Sequence, residues 1–453
     1  MQRSSSLGRA LIVVTLMVWS FVAGWAFHNQ FGDLPLDNAR HASLVAQANG
    51  AGVSELATPG DGTSVEPLWT FWEVLSQIRL NYYEPITDDE ERLLAYGAAK
   101  GMTQALGDPY SEFMEPVVYE EFAQDTQGFL EGIGAELVSE IDAQTLTRKV
   151  VVHKPLRGGP AAQAGLLPGD WIVFVNDESV RDKSVVEVAL KIRGQRGTPV
   201  KITVFREGKD ELLDFDIKRE RVELPVVDSR MLNDEVGYLL LEQFNDRSRE
   251  RMVEALSDLK QKGMKKLIFD LRDDTGGTLD AAVEIASLFI NEKPVLFVQE
   301  RDHDPKAMNA IPSLFQGDPP PMVVLINRQT ASASEIVAGA LRDYGIAKLV
   351  GQRSFGKGLV QTVVPLHDPS VRIKLTTAKW LTPNKEFVNR KLAPVLRRPS
   401  KEGAAPPETE EDGGLVPDVP VEMPQPVFER RLRDELPDNE DPQLQKAIEV
   451  LTQ

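Results

Sequence analysis

Between residues 223 and 421, continuous apolar runs alternate with segments whose apolar residues recur at helical spacing. The apolar runs are 236–241, 266–271, 322–326 and 347–350, with further β-type runs at 359–365 and 372–381. The helical patterns are 249–260, 279–289 and 335–341. Because continuous apolar runs are typical of strands that are buried on both faces, this order predicts an α/β sandwich core with functional loops at the strand ends.

Residues 128–222 show a different pattern, in which short β-type runs alternate with glycine turns and one helical segment at 185–192. The stretch Gly132-Ile133-Gly134 opens this segment, and glycines there let consecutive backbone N–H groups converge on an anion such as a peptide carboxylate. Residues 159–170 then predict a short helix and a tight turn that leads into a strand. Each glycine cluster alone is typical of an ordinary turn, but the ordered series resembles a PDZ domain, a module that binds the carboxyl end of a chain as an added strand.

The amino-terminal segment predicts export. Arg3 and Arg9 precede an uncharged run of 18 residues, 10–27, which is long enough for a secretory signal or for a membrane span. Residues 1–30 are therefore either a signal peptide or an uncleaved membrane anchor, and the weak A-x-A cleavage site at 23–26 favours the anchor slightly. Both interpretations place the rest of the chain in the periplasm or cell envelope, and the second anchors it to the inner membrane.

Four further regions complete an α/β multidomain organisation. Residues 31–66 are rich in Gly, Ala, Ser and Asp, which predicts a flexible linker. Helical spacing predicts an N-terminal helical domain over 67–127. Prolines and an acidic run predict a loosely ordered insertion at 384–413 within the core. Residues 422–453 are predicted to form a tail with a helix that docks either on the body or on a partner.

Composition excludes several classes of function. A net charge of −18 without a basic stripe argues against nucleic acid as a partner, because phosphate backbones are bound by clustered Lys and Arg. The chain has no cysteine, so disulfides, zinc-thiolate sites and thiol nucleophiles are excluded. Its five histidines are scattered, and none is paired at a metal-ligand spacing. The expectation is a site with no metal and no cofactor.

A serine and a lysine are the strongest candidates for catalysis. Ser332 lies in a polar turn before a helical pattern, and Lys357 follows 25 positions later between two glycines. With no histidine in a plausible motif, a neutral lysine is the group that can take the serine proton. Keeping a lysine neutral at pH 7 requires roughly 4.6 kcal/mol, which burial can supply, so Lys357 is predicted to be buried and held by a neutral acceptor. Gln361, four residues further along an extended segment, lies on the same face and is predicted to be that acceptor.

Backbone donors for an oxyanion are expected on two segments. Ser332 is predicted to begin a helix, where the free N–H of Ala333 and the helix dipole favour developing negative charge. A second donor is expected from Gly276 and Gly277, the glycine pair that follows a predicted strand and whose backbone can approach a substrate closely.

Two other interpretations compete for these residues. Ser332 and Glu335 fit a simple capping box, S-x-x-E before an apolar run, and those residues alone favour that structural role. Residues 351–358 read G-x-x-x-x-G-K-G, which is close to a phosphate-binding loop. Gly358 replaces the closing Ser or Thr and the next residues are β-like, so nucleotide binding is disfavoured.

The sequences TASASEIVAGAL at 330–341 and SFGKGLVQ at 354–361 resemble the carboxy-terminal processing peptidases, which are tail-specific serine proteases with a Ser-Lys-Gln site. The resemblance extends over about 68–421 and includes D-P-Y-S at 108–111 and D-L-R-x-x-x-G-G at 270–277. It departs from the family pattern at Asp274, where asparagine is usual, and in the length of the predicted insertion.

This resemblance implies a role for each candidate residue. Ser332 would be the nucleophile, Lys357 the general base and Gln361 the residue that orients the lysine. Ala333 with the Gly276-Gly277 pair would form the oxyanion hole. The PDZ domain would bind substrate carboxyl termini through the 132–134 loop and gate the active site, and Arg193 at the end of its predicted helix is a candidate for such a gate.

The implied function is an exported serine endopeptidase that forms an acyl-enzyme and cleaves proteins near their carboxyl termini. Its expected partners are protein or peptide substrates with free carboxyl termini, the membrane, a regulatory protein and further copies of the same chain. The alternative is a non-catalytic PDZ scaffold on a protease-like core, which loss of Ser332, Lys357 and Gln361 would have favoured.

Overall fold

The computed structural model describes residues 68–141, 148–156, 158–390, 413–432 and 435–452. The predicted signal or anchor (1–30) and the predicted linker (31–66) lie outside the described residues, as does most of the predicted insertion, 391–412. No helix within the described ranges is long and apolar enough to span a bilayer.

Helices and strands follow one another in a mixed order along the chain. The helices are α1 (Trp69–Asn81), α2 (Asp88–Gln104), α3 (Pro116–Thr126), α4 (Pro160–Ala164), α5 (Val185–Ile192), α6 (Ser248–Gln261), α7 (Leu279–Ala286), α8 (Ala333–Asp343), α9 (Gln425–Leu432) and α10 (Pro442–Thr452). The strands before the core are β1 (Glu112–Met114), β2 (Phe129–Gly132), β3 (Ala135–Ile141), β4 (Arg148–Pro155), β5 (Trp171–Val175), β6 (Glu178–Ser179), β7 (Pro199–Phe205), β8 (Leu213–Lys218) and β9 (Glu220–Glu223). The core strands are β10 (Val227–Met231), β11 (Val236–Leu241), β12 (Lys266–Asp270), β13 (Pro294–Glu300), β14 (Lys306–Asn309), β15 (Met322–Ile326), β16 (Ala347–Gly351), β17 (Leu359–Pro365), β18 (Arg372–Leu381) and β19 (Val419–Pro420).

The chain divides into two units, 1–91 and 92–453. In the first unit, the described residues form α1 and the start of α2. Thr87 caps α2 reciprocally with Glu90: the Thr87 N–H donates to Glu90 Oε2 (2.8 Å), and the Glu90 N–H donates to Thr87 Oγ1 (3.3 Å). Four acidic residues in the first turn of α2 interact favourably with the positive end of the helix dipole.

In the second unit, residues 129–223 form a small β domain. Its main sheet has the order β3-β4-β5-β7-β8, so β3 is an edge strand, and β2 pairs with β9 as a separate ribbon. Helix α5 packs against β3 and β5, and it begins with a capping box in which Ser184 and Glu187 bond reciprocally. An edge strand beside a helix leaves a groove that can receive an added strand.

A six-stranded sheet with the order β10-β11-β12-β15-β16-β19 is the centre of the larger body. All of its pairs are parallel except β10 with β11. On β12, Leu267 and Phe269 belong to the core cluster that includes residues of α6, α7 and α8, whereas Ile268 belongs to the cluster that includes residues of α10. Because successive side chains point to opposite faces, only a continuous apolar run can bury both faces of such a strand.

The second sheet of the body is antiparallel and is built around β18. It has the order β1-β18-β13-β14, and β17 pairs with β18 as well. Since β1 precedes the small β domain in the chain and its partner β18 follows it, that domain is inserted into the body. The region 67–127, predicted to be helical, therefore also supplies a strand.

The carboxy-terminal segment packs on the body. Leu444 and Ala447 on α10 are buried against the six-stranded sheet. Arg272, directly after β12, is buried and forms ion pairs with Asp270 (2.6 Å) and with Asp441 (2.8 Å). A buried guanidinium left without these carboxylates would destabilise the fold, so the pairing fixes the end of β12 to the tail.

The start of the predicted insertion differs from the expectation of loose order. Residues 384–390 continue the body: Val388 is buried, its carbonyl accepts a hydrogen bond from Gly414 N–H (2.7 Å), and Arg390 N–H donates to the Gly356 carbonyl (2.8 Å). Proline spacing and charge signal loose segments but do not reveal these long-range backbone bonds, so the predicted boundary lies too early.

Candidate functional site

Ser332 occupies a strained turn between β15 and α8. Its φ is +57°, a conformation that residues with a Cβ adopt rarely and that persists only where the surroundings enforce it. The Asp274 carbonyl provides this support, since it accepts hydrogen bonds from Ala331 N–H (3.0 Å) and from Ser334 Oγ (3.0 Å). The turn is thus tied to the loop after β12 on both sides of Ser332.

The glycine pair of that loop lies directly against the Ser332 turn. A Cβ added to Gly276 would stand 2.8 Å from Ala333 N and 3.0 Å from Ser332 Cβ, and a Cβ added to Gly277 would stand 1.9 Å from the Phe244 carbonyl oxygen. Both residues also have positive φ values, +98° and +155°. Only glycine allows this close approach without strain.

Two backbone N–H groups at this contact have no partner among the described residues. Within the described residues, the N–H groups of Ala333 and Gly277 make no hydrogen bond. The Gly276 N–H is occupied, because it donates to Asp274 Oδ1 (2.8 Å). The N–H groups of Ala333 and Gly277 are therefore available to donate hydrogen bonds to an anion. Gly276 contributes its close packing against the Ser332 turn, not its N–H.

Glu335 connects the serine turn to the lysine loop. Its Oε2 accepts hydrogen bonds from the N–H of Ser332 (2.9 Å) and of Lys357 (2.8 Å). Its Oε1 accepts from Gly356 N–H (2.7 Å) and from the Ser354 hydroxyl. Burial raises the pKa of Glu335, and these hydrogen bonds oppose that rise. Glu335 thus bonds to the N–H of Ser332 as a capping interpretation requires, and the same carboxyl also fixes the segment that carries Lys357.

Lys357 is partly buried and its Nζ faces an aromatic ring. The Nζ lies 4.9 Å from the centroid of Tyr110, and in the part of the chain that the structure describes it makes no hydrogen bond and no ion pair. Burial lowers the pKa of Lys357, the neighbouring charge of Lys374 lowers it further, and the carboxyl groups of Glu335 and Asp108 oppose the shift. These conditions favour a lysine that can lose its proton.

Within the described residues, Gln361 makes no hydrogen bond to the Lys357 side chain. It lies on β17, and its Nε2 donates to Thr376 Oγ1 on β18 (3.2 Å). The register of β17 against β18 shifts between Val360 and Gln361, which breaks the simple alternation that would place Lys357 and Gln361 on one face.

The Asp-Pro-Tyr-Ser segment contributes Tyr110, which sequence reasoning did not assign to the site. Asp108 accepts a hydrogen bond from the Ser111 hydroxyl (2.6 Å), which in turn accepts from Thr376 N–H on β18 (3.0 Å). This anchoring holds the Tyr110 ring over Lys357. The D-P-Y-S motif marks this segment in the sequence. Its partner Thr376 on β18 lies more than 260 positions away, so the contact could not be predicted from the motif.

A single cavity of about 550 Å³ brings the candidate residues together. Its lining includes Ser332, Lys357, Gln361, Ala333, Gly276 and Gly277. Apolar side chains such as Leu279, Ile336 and Val360 form much of the remaining wall, together with Phe122 on α3. Within the described residues, no group of three or more His, Asp or Glu side chains is arranged to hold a metal ion.

The residues singled out in the small β domain lie outside this cavity. The Ile133 side chain is buried in the domain core, and its carbonyl accepts a hydrogen bond from Ala161 N–H (2.8 Å). Together with Gly132 and Gly134 it forms the entry to edge strand β3. Arg193, directly after α5, forms an ion pair with Glu121 on α3 (2.5 Å). Because Phe122, next to Glu121, lines the cavity, this ion pair connects the small domain to the wall of the site.

Comparison with known proteins identifies both parts of the chain. Residues 235–395 match the model of peptidase family S41, and residues 132–217 match that of the PDZ domain. These matches confirm the predicted fold class, an α/β protease core with an inserted PDZ-like β domain.

Two proteins of Bacillus subtilis (strain 168) are similar in sequence to this chain. The chain is 36% identical over 316 residues to the carboxy-terminal processing protease CtpA, an alignment that covers 70% of this chain and 65% of CtpA. It is 37% identical over 307 residues to the carboxy-terminal processing protease CtpB, covering 67% and 62% of the two chains. The chain thus spans slightly less than two thirds of each relative. Among solved structures, the photosystem II D1 C-terminal processing protease is 26% identical over 82% of this chain and 92% of that chain, with a TM-score of 0.45.

Proposed function

Because residues 235–395 match the model of peptidase family S41 and residues 132–217 match that of the PDZ domain, we propose that this chain is an exported serine endopeptidase that cleaves protein substrates near their carboxyl termini. The observation that carries the proposal is the shared cavity, in which a strained serine, a partly buried lysine and two free backbone N–H groups meet. No metal or cofactor enters the proposed reaction.

The proposed reaction proceeds through an acyl-enzyme. Neutral Lys357 takes the proton of Ser332 while Oγ attacks the substrate carbonyl carbon, and the carbonyl electron pair moves onto the oxygen. The N–H groups of Ala333 and Gly277 stabilise that oxyanion. Its collapse expels the amine, which receives the proton from the lysine, and a water molecule then releases the acyl group by the reverse proton path.

The described arrangement supports a resting state. The Nζ of Lys357 contacts the Tyr110 ring instead of Ser332, so general-base catalysis requires the lysine side chain to turn away from that ring. Gln361 is proposed to orient the lysine after this movement, although its amide bonds to Thr376 here. Rotation of these side chains needs no change in the backbone that Glu335 fixes.

The PDZ domain is proposed to recognise the substrate tail. A free carboxyl terminus would add to edge strand β3 beside α5, with its carboxylate at the Gly132-Ile133-Gly134 entry. Binding there is proposed to act on the catalytic cavity through Arg193, whose partner Glu121 adjoins cavity residue Phe122. A membrane tether, a regulatory protein and self-association are further proposed partners, which rest on the sequence alone.

The direct test is cleavage of an unstructured protein substrate with an apolar carboxyl tail. We expect the purified chain to cut it close to the tail and Ser332→Ala to abolish cutting below detection, as measured by mass spectrometry of the products. A matched substrate with an amidated tail should be cut more slowly, because its terminus lacks the carboxylate. Cleavage that persists in Ser332→Ala would contradict the assignment, and tail binding without any cleavage would favour the scaffold alternative.

The proposed gate predicts a specific loss of tail dependence. In Arg193→Ala, the ratio of cleavage rates for the free-tail and amidated-tail substrates should fall towards one, because the ion pair with Glu121 no longer transmits tail binding. Lys191→Ala is the matched control, since Lys191 lies on the same helix and pairs with Glu178 inside the PDZ domain. An unchanged ratio in Arg193→Ala would exclude this residue as the gate.

A further inference from the structure

Asp274 is a buried carboxyl group that lies at the oxyanion loop and has no role in the reaction described above. Its side chain is 1% exposed. Oδ1 accepts the hydrogen bond from Gly276 N–H (2.8 Å), and the Asp274 carbonyl holds Ala331 and Ser334 on either side of Ser332. Asp274 therefore binds both the glycine loop and the Ser332 turn, the two segments that carry the Gly277 and Ala333 N–H groups.

The second carboxyl oxygen of Asp274 is unsatisfied. Within the residues that the structure describes, Oδ2 is buried without a hydrogen-bond partner, and Asp274 takes part in no ion pair. A buried carboxylate with a single hydrogen bond is strongly disfavoured, because it loses its hydration without compensation. A proton on Oδ2 removes the charge and leaves the Gly276 hydrogen bond at Oδ1 intact.

In the part of the chain that the structure describes, no charged group near the loop pairs with Asp274. Arg272 is bound to Asp270 and Asp441, and Asp273 is paired with Arg431. From α8, Glu335 faces the serine and lysine backbone, and from the connection after β11 the carboxylate of Glu242 adds a second negative charge. Burial raises the pKa of Asp274 to about 8; Glu242 acts in the same direction, and the Gly276 N–H and the Ser334 hydroxyl oppose it.

We propose that Asp274 is a positioning residue that holds the oxyanion loop as an uncharged acid, and that loss of its proton switches the site off. This inference rests on the proposed peptidase function. The ionised form would place a negative charge on the carboxyl group that binds the Gly276 N–H, next to the loop where the substrate oxygen becomes negative. Like charges in a water-poor site repel strongly, so the ionised form opposes the oxyanion that Ala333 and Gly277 stabilise.

The first test compares the pH dependence of kcat/KM in the full-length chain and in Asp274→Asn. We expect a bell-shaped profile for the unmodified protein, with a rising limb as Lys357 loses its proton and a falling limb as Asp274, with a pKa of about 8, loses its own. Asparagine cannot ionise and its amide oxygen accepts the same hydrogen bond, so Asp274→Asn should remain active at pH 7 and lose the falling limb. Tyr110 does not mimic that limb, because burial raises its pKa above the ordinary value of 10.

Two matched variants complete this comparison. Asp274→Ala removes the acceptor for Gly276 N–H and should lower kcat at every pH without a comparable change in KM. Asp280→Asn makes the same chemical change at an exposed position six residues away and should keep the falling limb. A falling limb that survives in Asp274→Asn would overturn the proposal.

A second readout does not depend on catalysis. In the Ser332→Ala background, thermal unfolding is measured from pH 5 to pH 9 with Asp or Asn at position 274. The folded chain keeps a proton on Asp274 that the unfolded chain loses near pH 4, so the Asp form should lose stability relative to the Asn form as pH rises towards 8 and then stay level. If the stability difference between the Asp and Asn forms does not change with pH, the proposal for Asp274 is wrong, whatever the activity. If that difference changes with pH as expected but the unmodified chain does not cleave peptides, the peptidase assignment fails instead.

Discussion

Replacing Lys357 with methionine is expected to abolish peptide cleavage, with kcat/KM falling by at least about 10³-fold, the scale of losing a general base that acts together with its nucleophile. Methionine keeps an unbranched chain in the cavity but has no proton acceptor of comparable basicity. Lys357→Arg should be equally inactive, because a guanidinium stays protonated in proteins. The measurement is steady-state hydrolysis of the apolar-tail substrate, with Tm recorded for each variant.

The control for this prediction is Lys348→Met on β16, which removes an exposed lysine from the same body and should leave both rate and Tm near those of the unmodified chain. Burial and the charge of Lys374 lower the pKa of Lys357. The fraction of enzyme with a neutral lysine, and with it the rate, should therefore begin to rise at a lower pH than an ordinary lysine would allow. Substantial hydrolysis by Lys357→Met would show that another group is the base, and the Ser-Lys assignment would be wrong.

The parts of the fold that were predictable are those in which local sequence and burial coincide. The predicted runs 236–241 and 322–326 match β11 and β15, because each strand is covered on both faces and must be apolar throughout. Strand β10 was missed, since its sequence VDSRM is largely polar and half-buried. Strand β13 was missed together with its hairpin partner β14, because the connecting residues 301–305 contain no glycine turn, and its other partner β18 lies about 80 positions further along the chain.

In the candidate site too, features carried by local sequence were predictable and contacts between distant segments were not. Ser332, Ala333, Lys357 and the glycine pair could be found because each sits in a short motif, and the structure places them in one cavity. Contacts between distant segments could not be found. The Gly276 N–H is occupied by Asp274, the Gln361 amide reaches β18, and Tyr110 faces Lys357 from a segment that precedes the PDZ domain. Which donors are free depends on these contacts, and no motif encodes them.

Glu335→Ala is expected to impair both folding stability and catalysis, because one carboxyl group accepts hydrogen bonds from the serine turn and the lysine loop together. Alanine would leave three backbone N–H groups and the Ser354 hydroxyl without their acceptor in a buried region. At about 1–3 kcal/mol for each buried donor, the destabilisation should reach several kcal/mol, and the turn that strains Ser332 should relax. We expect kcat/KM to fall by about 10² or more in whatever fraction remains folded, since small displacements of a nucleophile and its base have effects of that size.

Two comparisons test whether Glu335 does more than cap helix α8. Glu335→Gln retains one acceptor oxygen but turns an NH₂ group towards some of the donors, so its Tm and kcat/KM should lie between those of the unmodified chain and Glu335→Ala. Glu250→Ala is the matched control, because Glu250 is also the third residue of its helix, α6, and is exposed. If a helix cap were the whole role of Glu335, Glu335→Ala would lower the stability only by the roughly 0.5–2 kcal/mol typical of caps and leave kcat unchanged. Glu250→Ala, at a helix start with no side-chain cap hydrogen bond, should change neither stability nor kcat appreciably. A large effect confined to Glu335, measured by urea unfolding and by hydrolysis at fixed pH, would show that its carboxyl group sets the geometry between Ser332 and Lys357.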